Sequence, residues 1–145
     1  MKFAPSAALI DKLKRRKPGG VFADEVMSEH NAFVLGLGMG PACYLRLDGQ
    51  VLVDERWWFG DSVRDATDDE AIAAIAWAFH KMGISELLAL IPAPAPGSER
   101  CARCEGARLV TFGVKDVHGK ETLFVCPDCS GRGWTTAARR SAETL

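Results

Sequence analysis

No stretch of this 145-residue chain approaches the roughly 20 consecutive apolar residues that cross a bilayer. A transmembrane anchor is therefore not expected. A secretory leader is not expected either: near the N-terminus the basic residues Lys12 to Lys17 follow the apolar ones, and a signal needs the reverse order. The reading is a cytoplasmic protein. No G-x-G-x-x-G opens a helix. Gly36-Leu-Gly38-Met-Gly40 runs into Pro41 and lacks the Lys-Ser/Thr of a phosphate loop, so a turn-rich connection is preferred. No Ser–His–Asp or Cys–His arrangement has recognisable local context. Large net charge is also missing, the formal total being −1.

Charge is nevertheless unevenly placed. Residues 1–20 hold six Lys/Arg against one acid, and residues 21–92 hold four against twelve. Residues 93–145 hold eight against six. Four metal-bound thiolates would bring that last region close to neutral, which weakens a nucleic-acid reading.

What the chain does have is four paired cysteines. Cys101-Ala-Arg-Cys104 and Cys126-Pro-Asp-Cys129 form C-x2-C-x21-C-x2-C. This spacing delivers four thiolates to one tetrahedral ion, and zinc is the expected occupant. A rubredoxin-like iron site is the competitor. In a reducing compartment such pairs are ligands rather than disulfides. Each pair is followed two residues later by glycine, Gly106 and Gly131, which suits a positive-φ step. Four sulfurs close the coordination sphere, so the expected role is structural and no catalytic residue is assigned. The fifth cysteine, Cys43, lies in an apolar stretch and reads as a small buried hydrophobe.

Pro92-Ala-Pro-Ala-Pro-Gly-Ser98 reads as a semi-rigid spacer, since alternating prolines favour an extended conformation. The expected organisation is an α+β domain over 1–91, a linker over 92–98, a zinc ribbon over 99–135 and a frayed tail over 136–145. The fold class is α+β: a small antiparallel sheet packed with helices, followed by a C-terminal zinc-ribbon β-hairpin.

In the first domain Ser6 caps a helix running to about Lys17, its apolar stripe Leu9, Ile10 and Leu13. Lys14 to Lys17 read as a solvated, dipole-compensating end. Ala32 to Leu37 reads as a strand. Asp48-Gly49, inside Tyr44 to Val53, predicts a tight hairpin. Trp57, Trp58 and Phe59 follow, with core packing preferred over a partner surface. Thr67-Asp68-Asp69-Glu70 is a capping box for a helix ending at Gly83. Its core face is Ile72, Ile75, Ala76 and Phe79, and further apolar positions predict cover on more than one side. The acids Asp61, Asp65, Asp68, Asp69 and Glu70 read as dipole compensation rather than a cation site. Glu86 to Leu90 reads as a short helix, with a strand competing.

Between the cysteine pairs, Arg108 to Val114 and Glu121 to Val125 predict a hairpin around a turn at Asp116 to Gly119. The region resembles a zinc ribbon and the cysteine-rich region of DnaJ-type chaperones. Cys126-Pro-Asp-Cys129-Ser-Gly131-Arg-Gly133 matches their C-x-x-C-x-G-x-G repeat throughout. Cys101-Ala-Arg-Cys104-Glu-Gly106-Ala-Arg108 matches it until Arg108, which stands at the last glycine. Two repeats leave room for one zinc. No His-Pro-Asp is present, so the resemblance implies zinc-binding geometry and not co-chaperone activity. Residues 41–91, a hairpin followed by an acidic capped helix, resemble SUKH-type immunity domains in outline. Together these readings predict a non-enzymatic zinc-containing adaptor that binds a protein partner, in one form an immunity protein masking a basic one. The alternative is a nucleic-acid-binding ribbon using Arg100, Arg103, Arg108, Lys115, Lys120 and Arg132.

Overall fold

The computed structural model describes residues 2–15, 32–36, 42–55 and 62–136. The fold is α+β. The chain divides into two compact units, Met1–Leu90 and Ile91–Leu145.

The first unit is built on a four-stranded antiparallel meander. Strands β1 (Ala32–Gly36), β2 (Ala42–Arg46), β3 (Val51–Asp54) and β4 (Val63–Asp65) lie side by side in sequence order. The Asp48-Gly49 hairpin joins β2 to β3. There the Arg46 carbonyl accepts from the Gly49 amide at 2.9 Å, and Asp48 Oδ1 accepts from the Gln50 amide at 3.0 Å. The sheet is buried on both faces. Ala32, Ala42, Tyr44 and Leu52 form a cluster with Val34 and Val63, while Phe33, Leu45, Val51 and Val53 are buried on the opposite side. The three-residue β4 escapes sequence reading because it is short, polar and held by pairing to β3 rather than by an apolar pattern.

Helix α1 (Ala7–Arg15) buries Leu9 and Leu13, and Ser6 Oγ accepts from the Leu9 amide at 3.1 Å. The expected continuation to Lys17 lies outside the described residues, as do Trp57, Trp58, Phe59, the loop 37–41, Asp61 and the tail 137–145. Helix α2 (Asp68–Met82) has the predicted capping box at Thr67 and Glu70, and Gly83 closes it in the left-handed conformation at φ 68°. Ile72, Ile75 and Ala76 are buried, as are Ala71, Ala74 and Ala78, so the helix is covered over a broad arc. Phe79 is only half-buried. Ser85–Leu90 is a 3-10 helix, with Leu87 buried. The competing strand does not form there. No helix among the described residues is long and apolar enough to cross a membrane.

One ion-pair group ties α2 to the sheet. Arg64 on β4 forks onto both carboxylate oxygens of Glu70, at 2.8 and 2.7 Å, and its Nε reaches Glu55 at 2.7 Å. The Arg64 guanidinium, opposed in part by desolvation and helped by the Thr67 amide, holds the Glu70 carboxyl down to about 2. A carboxylate depressed in the folded state stabilises fully above its ordinary pKa of about 4.3 and loses that contribution as pH falls toward about 2. Glu70→Gln keeps a capping-box side chain but removes the charge. It is expected to lower stability at neutral pH by about 1 kcal/mol, a modest figure because the pair is over a third exposed and screened. The gap from wild type should close between about pH 4.5 and 2. Melting temperatures of both proteins across that range check this, and a gap independent of pH would refute the assignment.

Candidate metal centre

The second unit is two short sheets around four sulfurs. Strands β5 (Glu99–Arg100) and β8 (Trp134–Thr135) pair, and strands β6 (Leu109–Lys115) and β7 (Glu121–Val125) form the predicted hairpin. Asp116 Oδ1 accepts the His118 and Lys120 amides at the hairpin turn, at 2.8 and 3.0 Å. His118 itself is exposed.

Cys101, Cys104, Cys126 and Cys129 are all buried, and their Sγ atoms lie within 4.8 Å of one another. Cys101 and Cys126 are 3.8 Å apart, and Cys104 and Cys129 are 3.7 Å apart. A tetrahedral ion about 2.3 Å from each sulfur spaces them by about 3.8 Å, so the donor set fits such an ion. No disulfide links them. Among the described residues this is the sole group of Cys, His, Asp or Glu side chains placed to hold a metal ion. The acids of α2 form no such group, and Glu70 is engaged by Arg64.

The two knuckles are copies of each other, offset by 25 residues. Glu105 and Ser130 have φ of 53° and 54°, Gly106 and Gly131 have 83° and 84°, and Arg108 and Gly133 have 73° and 87°. The copies interlock reciprocally. The Cys101 amide donates to the Gly133 carbonyl at 3.0 Å, and the Cys126 amide donates to the Arg108 carbonyl at 2.9 Å. Inside each knuckle the same bond recurs, from Ala107 to the Cys104 carbonyl and from Arg132 to the Cys129 carbonyl. The strands repeat the exchange: Arg100 faces Trp134 across β5 and β8, as Val125 faces Leu109 across β7 and β6. Arg103 and Asp128, equivalent positions, pair at 3.1 Å. The ribbon is therefore two pseudo-twofold-related halves meeting at the sulfurs. The cysteine–glycine spacing shows the repeat in sequence, but the exchange of strands between halves is visible only in three dimensions.

Backbone amides point at the sulfurs. The Gly133 amide lies 3.3 Å from Cys129 Sγ. Burial pushes the Cys129 thiol up to about 12, and the neighbouring sulfurs add to this against the Gly133 amide. Cys126 is raised too, chiefly by burial. At Cys104 burial acts in the same direction, but the amides of Arg108 and Gly106 outweigh it and the thiol is lowered. Thiolates this close repel one another. A divalent cation reverses this by supplying the opposing charge.

The sequence-predicted basic residues fall into three groups. Arg103 is held by Asp128, Lys115 and Lys120 are exposed near the hairpin turn, and Arg100, Arg108 and Arg132 line one cleft together with Trp134. In the first unit the Cys43 thiol is half-buried. Desolvation and the Glu70 carboxylate raise it to about 11, against the pull of Arg64, so it is inert at neutral pH. His80 is exposed and tilts against Trp77, with Lys81 over the same indole. No family model, curated protein or solved structure matches this chain.

Proposed function

We propose that this chain is a non-enzymatic zinc-containing binding protein, an adaptor in which one structural zinc orders the ribbon. The observation that carries the reading is the closed set of four buried sulfurs. Four thiolates leave no coordination position for water or substrate, which suits a structural ion and not a catalytic one. Around that centre the hairpin exposes Phe112, Val114 and Val117, at 54%, 50% and 95%. Apolar side chains on a thin, metal-anchored hairpin suit contact with another macromolecule. The acid-rich stretch 21–92 favours a basic protein partner, as expected of an immunity protein masking a toxin.

Two measurements test this. Metal analysis of the purified chain should return one zinc per chain, and cobalt substitution should give the intense thiolate charge-transfer bands of a tetrahedral sulfur site. Binding to a panel of purified basic, neutral and acidic proteins should favour the basic ones and weaken as salt rises. Absent or salt-indifferent binding would sink the basic-partner reading.

A second reading, nucleic-acid binding, is supported by one observation: the cleft beside the metal centre gathers Arg100, Arg108 and Arg132 around the Trp134 indole.

A further inference from the structure

The ribbon carries its own internal control. Its two halves build the same backbone around the same sulfurs, yet the side chains that line the cleft of about 280 Å³ have no counterpart in the other half. Across the 25-residue offset, Arg100 corresponds to Val125, Arg132 to Ala107, Arg108 to Gly133 and Trp134 to Leu109. At each of these positions, taken singly, the equivalent residue of the other half builds the same backbone without a guanidinium or an indole.

Arg108 carries the argument furthest. Its φ is 73°, in a position where the other half uses Gly133 at 87°. An L-residue in the left-handed region is strained, and such strain persists where function or the surroundings require it. The Arg108 Nε is buried without a hydrogen-bond partner, and so is the Ser98 hydroxyl on the same cleft. Buried polar atoms left unpaired in a native fold call for an explanation. Arg100, Arg108, Arg132 and one acid, Glu99, line the cleft, and Arg132 also donates to the Cys129 carbonyl at 3.4 Å. The Arg132 guanidinium lies 6.0 Å from the Trp134 ring centre.

We infer that this cleft binds one nucleotide unit of a single-stranded nucleic acid, its phosphate held by Arg100, Arg108 and Arg132 and its base stacked beside Trp134. The inference rests on the nucleic-acid reading above. Guanidinium forks match phosphate oxygens in pairs, which a point-charge ammonium does not. A planar indole next to that charge takes a base face, and only an unstacked strand presents one. An acidic peptide would use the arginines but would leave the indole without a planar partner.

The test uses the zinc-loaded full-length chain and labelled oligo-dT and oligo-U of about 12 nucleotides in about 50 mM salt. Fluorescence anisotropy should show binding that falls steeply with salt. Arg108→Gly installs the residue of the opposite half. It should weaken binding at least about 10-fold, keep its zinc, and melt no lower than wild type. Trp134→Leu, likewise the opposite half's residue, should weaken binding while leaving the salt slope nearly unchanged, because it removes stacking and not charge. Mononucleotide and inorganic phosphate should compete weakly, and a polyglutamate peptide more weakly than the strand.

Wild-type binding in both variants would overturn the site while leaving a nucleic-acid role elsewhere on the chain. No binding of any strand by zinc-loaded protein would overturn the reading itself. Zinc loss in Arg108→Gly would instead assign that arginine to balancing the charge of the metal centre, and would overturn the proposal. Polyglutamate displacing the strand at equal concentration would also overturn it.

Discussion

Chelating the zinc proposed at the four sulfurs is expected to unfold residues 99–135 and leave residues 1–90 folded. The reason is what the ribbon's core consists of. Its one cluster of buried residues among those described is Cys101, Cys104, Cys126 and Cys129, with Val110 packed against it. Apart from Thr135 of β8, the strands contribute half-buried and exposed side chains, and β6 is exposed from Thr111 to Lys115. A two-stranded hairpin of this kind is marginal in water, so the proposed metal would supply the folding energy. Structural zinc binds such peptides with about 10–16 kcal/mol at neutral pH, as much as the whole stability of an ordinary domain. Losing it leaves four thiols crowded together with nothing else to bury. Because thiolates must form, the ion should also be released as pH falls, each lost ligand being taken by a proton.

Cys126→Ser or Cys129→Ser should have nearly the effect of chelation on the ribbon, since both side chains are fully buried. Cys43→Ser should leave metal content untouched. Amide NMR dispersion distinguishes the units: signals from 99–135 should collapse to the centre while those from the sheet and α2 stay. Limited proteolysis should cut between Cys101 and Cys129 only after chelation. A metal-free chain with a dispersed, protease-resistant ribbon would show that the sulfurs are not what orders it.

The second large effect is expected at Gly49. Its φ is 94°, and a Cβ built there would lie 1.8 Å from the Phe3 carbonyl oxygen and 2.7 Å from its carbon. That overlap is with backbone, so no rotamer relieves it. The N-terminal segment lies against this turn: the Phe3 amide donates to the Gly49 carbonyl at 2.9 Å, Lys2 bridges Gln50, and the Phe3 side chain is buried. Gly49→Ala must therefore distort the hairpin or expel residues 2–3. Expulsion forfeits a buried phenyl ring, worth about 3–5 kcal/mol when truncated, and the left-handed conformation adds about 1 kcal/mol of strain. Partial relaxation limits the sum, and a net loss of about 3 kcal/mol is expected. For a unit of this size that lowers the melting temperature by about 10–20 °C.

The route can be separated from the size. If the segment is expelled, Phe3→Ala added to Gly49→Ala should do little further harm, since the ring has already left the core. Additive losses would mean that the hairpin, not the segment, yields. A Gly49→Ala variant melting within a degree of wild type would refute the close approach.

Some features of this chain are decided within a few residues, and those were legible. The Thr67–Glu70 capping box, the left-handed Gly83 stop and the Asp48-Gly49 hairpin each depend on neighbours three or four positions away, and all appear where local chemistry places them. The four cysteines belong with them, because a C-x2-C turn brings its two sulfurs together by itself. Where the deciding contact is remote, local reading falls short. Strand β4 exists because β3 offers it an edge, and the 3-10 helix Ser85–Leu90 packs against α2, just before it in the chain, and α1, far from it. The basic residues were visible as a scattered set. Three converge on Trp134 because each half of the ribbon lends a strand to the other, and residues 32 positions apart, Arg100 and Arg132, come to line one cleft. Spacing along the chain thus determined which atoms meet at the metal, since those turns close locally. Only the exchange of strands between the halves decided which charges stand beside it, since that pairing joins segments whose sequences carry no signal for each other.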